Sequence, residues 1–85
     1  MTTTEFFNDI ISVTAAIDAS GEIKPGNFTW QGETYTIVAT GRQWESGEGR
    51  HILVEASNGN RFEIQLSRQN LLWYLKKAWR EDFVA

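Results

Sequence analysis

The chain has 85 residues, 41% of them hydrophobic and 13% aromatic, with a formal net charge of -3. A chain of that length is one domain and buries only a little over ~60% of the surface its unfolded form exposes, so a large internal ligand cavity would compete with its own core. The lack of cysteine excludes disulfides, thiol catalysis and thiolate metal sites, and the modest charge excludes a disordered polyanion.

The opening stretch MTTTEFFNDIISVTAAID has no basic run, and Asn8, Asp9, Ser12 and Thr14 interrupt its apolar residues. It reads as neither a signal peptide nor a membrane span, which suits a cytoplasmic protein. Residues 1–9 are expected to form an N-terminal arm that covers the barrel of its own chain or of a partner. One domain over 10–79 and a tail over 80–85 follow.

Ile11, Val13, Ala15 and Ile17 alternate with polar or small residues, the period of a half-buried strand, up to a turn at Asp18-Ala19-Ser20-Gly21. Pro25 and Gly26 begin a second strand that carries Phe28 and Trp30 on one face, and Tyr35, Ile37 and Ala39 share a face of the third. A two-residue loop at Gly32-Glu33, with glycine first, predicts Trp30 opposite Tyr35 and Phe28 opposite Ile37. Gly41 reads as a bulge, and Glu45 to Gly49 as a polar tip expected to be mobile.

The next hairpin is decided by parity. A two-residue Asn58-Gly59 loop would place Phe62 opposite Glu55 and turn Ile52 and Val54 to the wrong face. A three-residue loop, Ser57-Asn58-Gly59 with Gly59 left-handed, instead pairs Val54 with Phe62 and Ile52 with Ile64. The final segment, LLWYLKKAWRED, fits both periodicities. As a helix over about 68–80 it has a Leu71, Leu72, Leu75, Trp79, Phe83 stripe; as a strand over 72–79, Trp73 and Leu75 extend the Phe62, Ile64, Leu66 face across a loop from Arg68 to Leu71.

The run PGNFTWQGETYTI, then Trp44, then FEIQL and WYLKKAW resembles a family of small uncharacterised bacterial domains known from actinobacteria, some encoded close to translesion DNA polymerases. The shared pattern is P-x-x-F-x-W-x-G-x-x-Y-x-V, a later tryptophan, a Y/F-x-L strand and W-x-L. It covers residues 10 to 79, with Ser67 standing where the family carries an acidic residue. The resemblance implies strand order and brings no activity. It favours an all-β fold, a small antiparallel meander or SH3-like or OB-like barrel of five to six strands, with an α+β fold ending in a helix as the alternative.

Chemistry is sparse. His51 is the only histidine, so multi-histidine metal sites are excluded, and Glu45-x-x-Glu48-x-x-His51 is interrupted by two glycines. No paired carboxylates or phosphate loop stand out, and no catalytic residue, metal or cofactor is expected. Acidic residues crowd the chain up to Glu48 and basic ones the remainder, an asymmetry that cross-strand pairing would absorb. Arg42, Trp44, Arg50, His51, Lys76, Lys77 and Trp79 are the candidate binding residues, because they mix cations with aromatic rings. The leading expectation is a non-catalytic domain that binds another protein or itself. A single-stranded nucleic-acid binder, with bases stacked on a basic β face, is the alternative, against which stands the low pI of about 5.0.

Overall fold

The computed structural model describes residues 2–81. Six antiparallel strands run β1 (Thr2–Ile17), β2 (Ile23–Trp30), β3 (Glu33–Glu45), β4 (Gly49–Ala56), β5 (Arg61–Ser67) and β6 (Trp73–Glu81), each paired with the next. Pairing of β1 with β6 closes the barrel. Among the described residues there is no helix, and hence none long and apolar enough to cross a membrane.

The two longest strands do the work of two. Residues 2–11 of β1 pair with β6 and residues 12–17 with β2. Residues 33–36 of β3 pair with β2 and residues 37–45 with β4. A five-stranded sheet (β1, β6, β5, β4, β3) and a three-stranded one (β1, β2, β3) therefore share their edges. Register shifts within both long strands supply the local bending that lets one strand serve two sheets. The N-terminal arm expected over residues 1–9 is thus absent as a separate unit: from Thr2 onward it is barrel wall. Arg80 and Glu81, expected in a tail, belong to β6, and residues 82–85 lie outside the described residues.

Among the described residues each strand pairs with a neighbour on both sides, and the half-strands of β1 and β3 and residues 23–26 of β2 have a ladder partner on one side only.

Inside, Phe28, Phe62, Ile52, Ile64 and Leu75 are fully buried, joined by Ile11, Ile23, Trp30, Val54 and Ala78. The Phe28 ring stacks on Tyr35 at 4.9 Å and meets Phe62 edge-on at 5.1 Å. Trp30 meets Phe7 edge-on at 5.0 Å and donates its indole N–H to Asp9 Oδ2 at 3.0 Å. Burying so large a ring is acceptable because its one polar atom has a partner.

The β4–β5 hairpin has the expected three-residue loop. Val54 pairs with Phe62 and Ile52 with Ile64, Gly59 is left-handed at φ 89°, and its N–H bonds Ala56 O at 2.9 Å. The last strand also pairs as read, Leu66 with Trp73 and Ile64 with Leu75. The β2–β3 hairpin differs: Trp30 faces Glu33 and Phe28 faces Tyr35. Its loop is Gln31-Gly32, both with positive φ, 52° and 78°, a type I′ turn whose twist matches the strands. The displacement is two residues, so Phe28, Trp30, Tyr35 and Ile37 keep their expected face, whereas the register shift between Ile37 and Ala39 turns Ala39, expected on that face, outward opposite Glu55.

Candidate functional site

Cross-strand register arranges the outer face of the five-stranded sheet in rows. One row runs Leu53, Glu63, Lys77, Phe6; the next on one side is Glu55, Arg61, Trp79, Thr4, and on the other His51, Gln65, Tyr74, Ile10. Outward residues normally meet water, yet His51, Glu63, Gln65 and Ser67 are buried. The cover comes from β3 and the β3–β4 tip. Trp44 lies flat on His51, the ring centroids 5.1 Å apart and the planes within 6°, and the Arg42 guanidinium sits over Trp44 at 5.1 Å.

Beneath this stack a chain of polar groups crosses the sheet. Ser46 Oγ lies 2.7 Å from His51 Nε2, His51 Nδ1 is 3.0 Å from Glu63 Oε2, and Glu63 Oε1 is 3.6 Å from Lys77 Nζ. Each group satisfies a neighbour whose burial would otherwise be costly. Ser46 Oγ also accepts the Glu48 N–H at 3.1 Å, Ser46 N–H donates to Gly49 O, and Arg68 N–H donates to Glu48 O. The tip expected to be mobile is therefore pinned at both ends.

The seven candidate residues do not form one cluster. Arg42, Trp44, His51, Lys76, Lys77 and Trp79 all belong to the outer side of this sheet. Arg50 does not: it pairs with the inward Leu66, and its guanidinium reaches round the barrel end to Glu45 at 2.8 Å and to Gly21 O at 3.0 Å. Glu45 also takes Arg68 at 2.8 Å. The hydrogen bond from Arg50, with that from Arg68, holds the Glu45 carboxyl below its ordinary range. Glu45, Glu48 and His51, considered together for a metal, have separate partners, with Lys76 at 3.5 Å from Glu48. No group of metal-ligating side chains occurs among the described residues.

Charge pairing is extensive. Lys24–Asp18, Arg50–Glu45, Arg61–Glu55, Arg68–Glu45, Lys76–Glu48, Lys77–Glu63 and Arg80–Glu5 are all within ion-pair distance. Among the described residues only Arg42, of the lysines and arginines, has no carboxylate partner. Four of these, Arg50–Glu45, Arg68–Glu45, Lys76–Glu48 and Arg80–Glu5, join the acidic first part of the sequence to the basic remainder.

Two hollows flank the central row. The larger, about 510 Å³, is a groove lined by Ala39 to Gly41 of β3 together with Leu53, Glu55, Arg61 and Trp79. The smaller, about 210 Å³, is polar and lies by Gln65, Ser67 and Tyr74. Beside the groove Phe6 is 74% exposed, with Lys77 Nζ over its ring at 5.5 Å, and Ile10 is 64% exposed on the same face of β1. Sequence reasoning missed Phe6, because an arm ahead of the barrel has no defined outer face, and Ile10, because the first strand's alternation is counted from Ile11. It also missed Glu63 and Gln65, whose alternation in FEIQL marks them as solvent-facing, and Ser46, which lies in the polar tip.

Fold and site define a small closed six-stranded β-barrel with an aromatic and charged outer sheet face. Comparison of the chain with protein-family models, with curated proteins and with solved structures finds no match.

Proposed function

We propose that this barrel is a non-catalytic protein-interaction domain that docks a partner, another protein or a second copy of itself, on the outer face of the five-stranded sheet. The observation that carries the reading is the exposure of Phe6 next to the groove. By register Phe6 lies one diagonal step from Trp79, which lines the groove. A small domain that leaves a phenylalanine this open beside a tryptophan-lined groove has the composition of a docking surface, with aromatic rings at the centre and charge at the rim.

Light scattering over a concentration series tests self-association. A second copy as partner requires a dimer at high concentration that Phe6→Glu or Trp79→Ala returns to monomer. A monomer throughout the series removes self-association and leaves a different protein as the partner.

Single-stranded nucleic acid, the alternative, draws support from the aromatic and cationic residues gathered on this face and from the resemblance to domains encoded near translesion polymerases. Against it, seven cations are held by carboxylates, and Trp44 has His51 on one side and a guanidinium stacked on its ring, which occupies the surface a base would need. A labelled oligonucleotide bound at low salt, weakened by salt and by alanine at Arg42 and Trp44, would reverse this preference.

A further inference from the structure

The polar hollow of about 210 Å³ holds an unused set of hydrogen-bond donors. Gln65 lines it, is only 2% exposed, and its Nε2 has no partner. A buried amide nitrogen without an acceptor carries a desolvation cost that a bound group relieves. Its neighbours are engaged in ways that leave donors over. Tyr74 Oη accepts from Asn70 Nδ2 at 2.9 Å, so its own proton remains. Ser67 Oγ accepts the Gln69 N–H at 3.2 Å, and Asn8 Oδ1 accepts Lys76 Nζ at 2.8 Å, leaving the serine proton and the Asn8 amide hydrogens. The one carboxylate in the wall, Glu48, is offset by Lys76 at 3.5 Å.

We propose that this hollow is a binding site for a neutral polyhydroxyl ring, either a free monosaccharide or the ribose of a nucleoside. Hydroxyl groups accept from the Gln65 amide, the Tyr74 and Ser67 hydroxyls and Asn8, and donate to Glu48, so one ligand class satisfies both kinds of wall group. A free anion is disfavoured, since the only full charges at the site are the compensated pair Glu48 and Lys76. The volume admits one ring, and a small number of fixed polar groups sets a ligand's orientation in such a site. The site is separate from the proposed docking surface, which lies across the Lys77 row.

The test is NMR titration of the isotope-labelled full chain with D-glucose, D-ribose, uridine and, as anion control, sodium acetate. Saturable shifts of the Gln65 side-chain NH₂ and of the Gly47 and Asn70 amides with at least one of the three polyhydroxyl compounds, and none with acetate, are the expected result. Tighter binding of uridine than of ribose identifies a nucleoside; equal or tighter binding of a free sugar identifies the ring alone. Gln65→Leu should weaken the interaction at least tenfold while Phe6→Glu leaves it unchanged. Should Gln65→Leu not fold, Tyr74→Phe decides, with a loss of severalfold expected. No saturable shift, an equal response to acetate, or affinity unchanged in the Gln65 or Tyr74 variant overturns the proposal.

Discussion

Trp44 and His51 are cross-strand partners on β3 and β4 whose rings lie parallel, 5.1 Å apart, with the imidazole buried beneath the indole. The indole is therefore a lid on a polar chain rather than a free stacking platform. We predict that Trp44→Ala destabilises the barrel by about 2 kcal/mol, combining lost apolar contact with water entry to His51 and Glu63. Trp44→Phe should recover most of this in urea unfolding, and an unchanged midpoint for the alanine variant would show that the lid has no energetic role.

The His51 and Glu63 side chains depend on each other. Removing the imidazole leaves a buried carboxylate with only Lys77 at 3.6 Å, and leaves Ser46 Oγ without its ring partner. His51→Ala is predicted to cost about 3 kcal/mol, near the cost of breaking a buried pair. In a double-mutant cycle with Glu63→Gln, the coupling energy should exceed about 1 kcal/mol. Additive effects would sink the idea of a connected chain.

Gly49 sits where the tip enters β4, with φ 150° and its α-carbon packed against the neighbouring strand. A Cβ there would collide with the Leu66 carbonyl oxygen and crowd Arg68 N at 2.9 Å, both of them backbone. Neither can give way without opening the β4–β5 ladder. Gly49→Ala should therefore cost about 3 kcal/mol or more, whereas Gly47→Ala, whose Cβ would meet open space, should be nearly neutral. Equal thermal midpoints for the two variants would contradict this.

Acid stability should report the turn after β1. Asp18 Oδ1 accepts from the Ser20 hydroxyl at 2.6 Å, the Glu22 N–H at 3.0 Å and the Ser20 N–H at 2.9 Å, and these bonds, the Ser20 hydroxyl foremost, hold its carboxyl below the ordinary value. A pKa lowered on folding means that the unfolded chain takes up the proton first. The stabilisation is accordingly complete above the ordinary carboxylate value of about 4 and is lost as pH falls through the lowered one. Asp18→Ala should flatten the decline in urea midpoint between pH 5 and pH 2. An equally steep decline in the variant would assign the acid sensitivity to other carboxylates.

Much of the barrel was legible because its hairpins carry local signals. Gly59 after Ser57-Asn58, read with the parity of Ile52, Val54, Phe62 and Ile64, admits only one register that buries all four. The C-terminal strand was less legible: its residues fit a helix equally well, and only the family resemblance favoured the strand that sets Trp73 and Leu75 opposite Leu66 and Ile64. At Gln31-Gly32 the local signal misled, since the reading required a glycine at the first turn position. The chain instead places Gln31 in the left-handed region beside Gly32, and the register moved by two.

The candidate site was less legible. Arg42, Trp44, Lys76, Lys77 and Trp79 announce themselves as cations and aromatics, but nothing local shows that Arg50 points to the barrel end or that Trp44 is already stacked. Glu63 and Gln65 alternate with core residues and so read as wet, although the tip and β3 fold over them.

Alternation by itself determined the strands up to Leu66, their inward-facing aromatic residues and the three-residue β4–β5 loop, because these rest on neighbours a few residues apart, whereas the last strand, and with it the all-β fold, followed only from the family resemblance. Only the tertiary structure decided that residues 2–9 are wall rather than arm, that seven cations have carboxylate partners, and that Gln65 is buried beside a polar hollow. Each of those depends on which strand lies next to which. The pairing of β1 with β6 joins residues nearly eighty positions apart, a distance at which sequence pattern carries no register and closure of the barrel does.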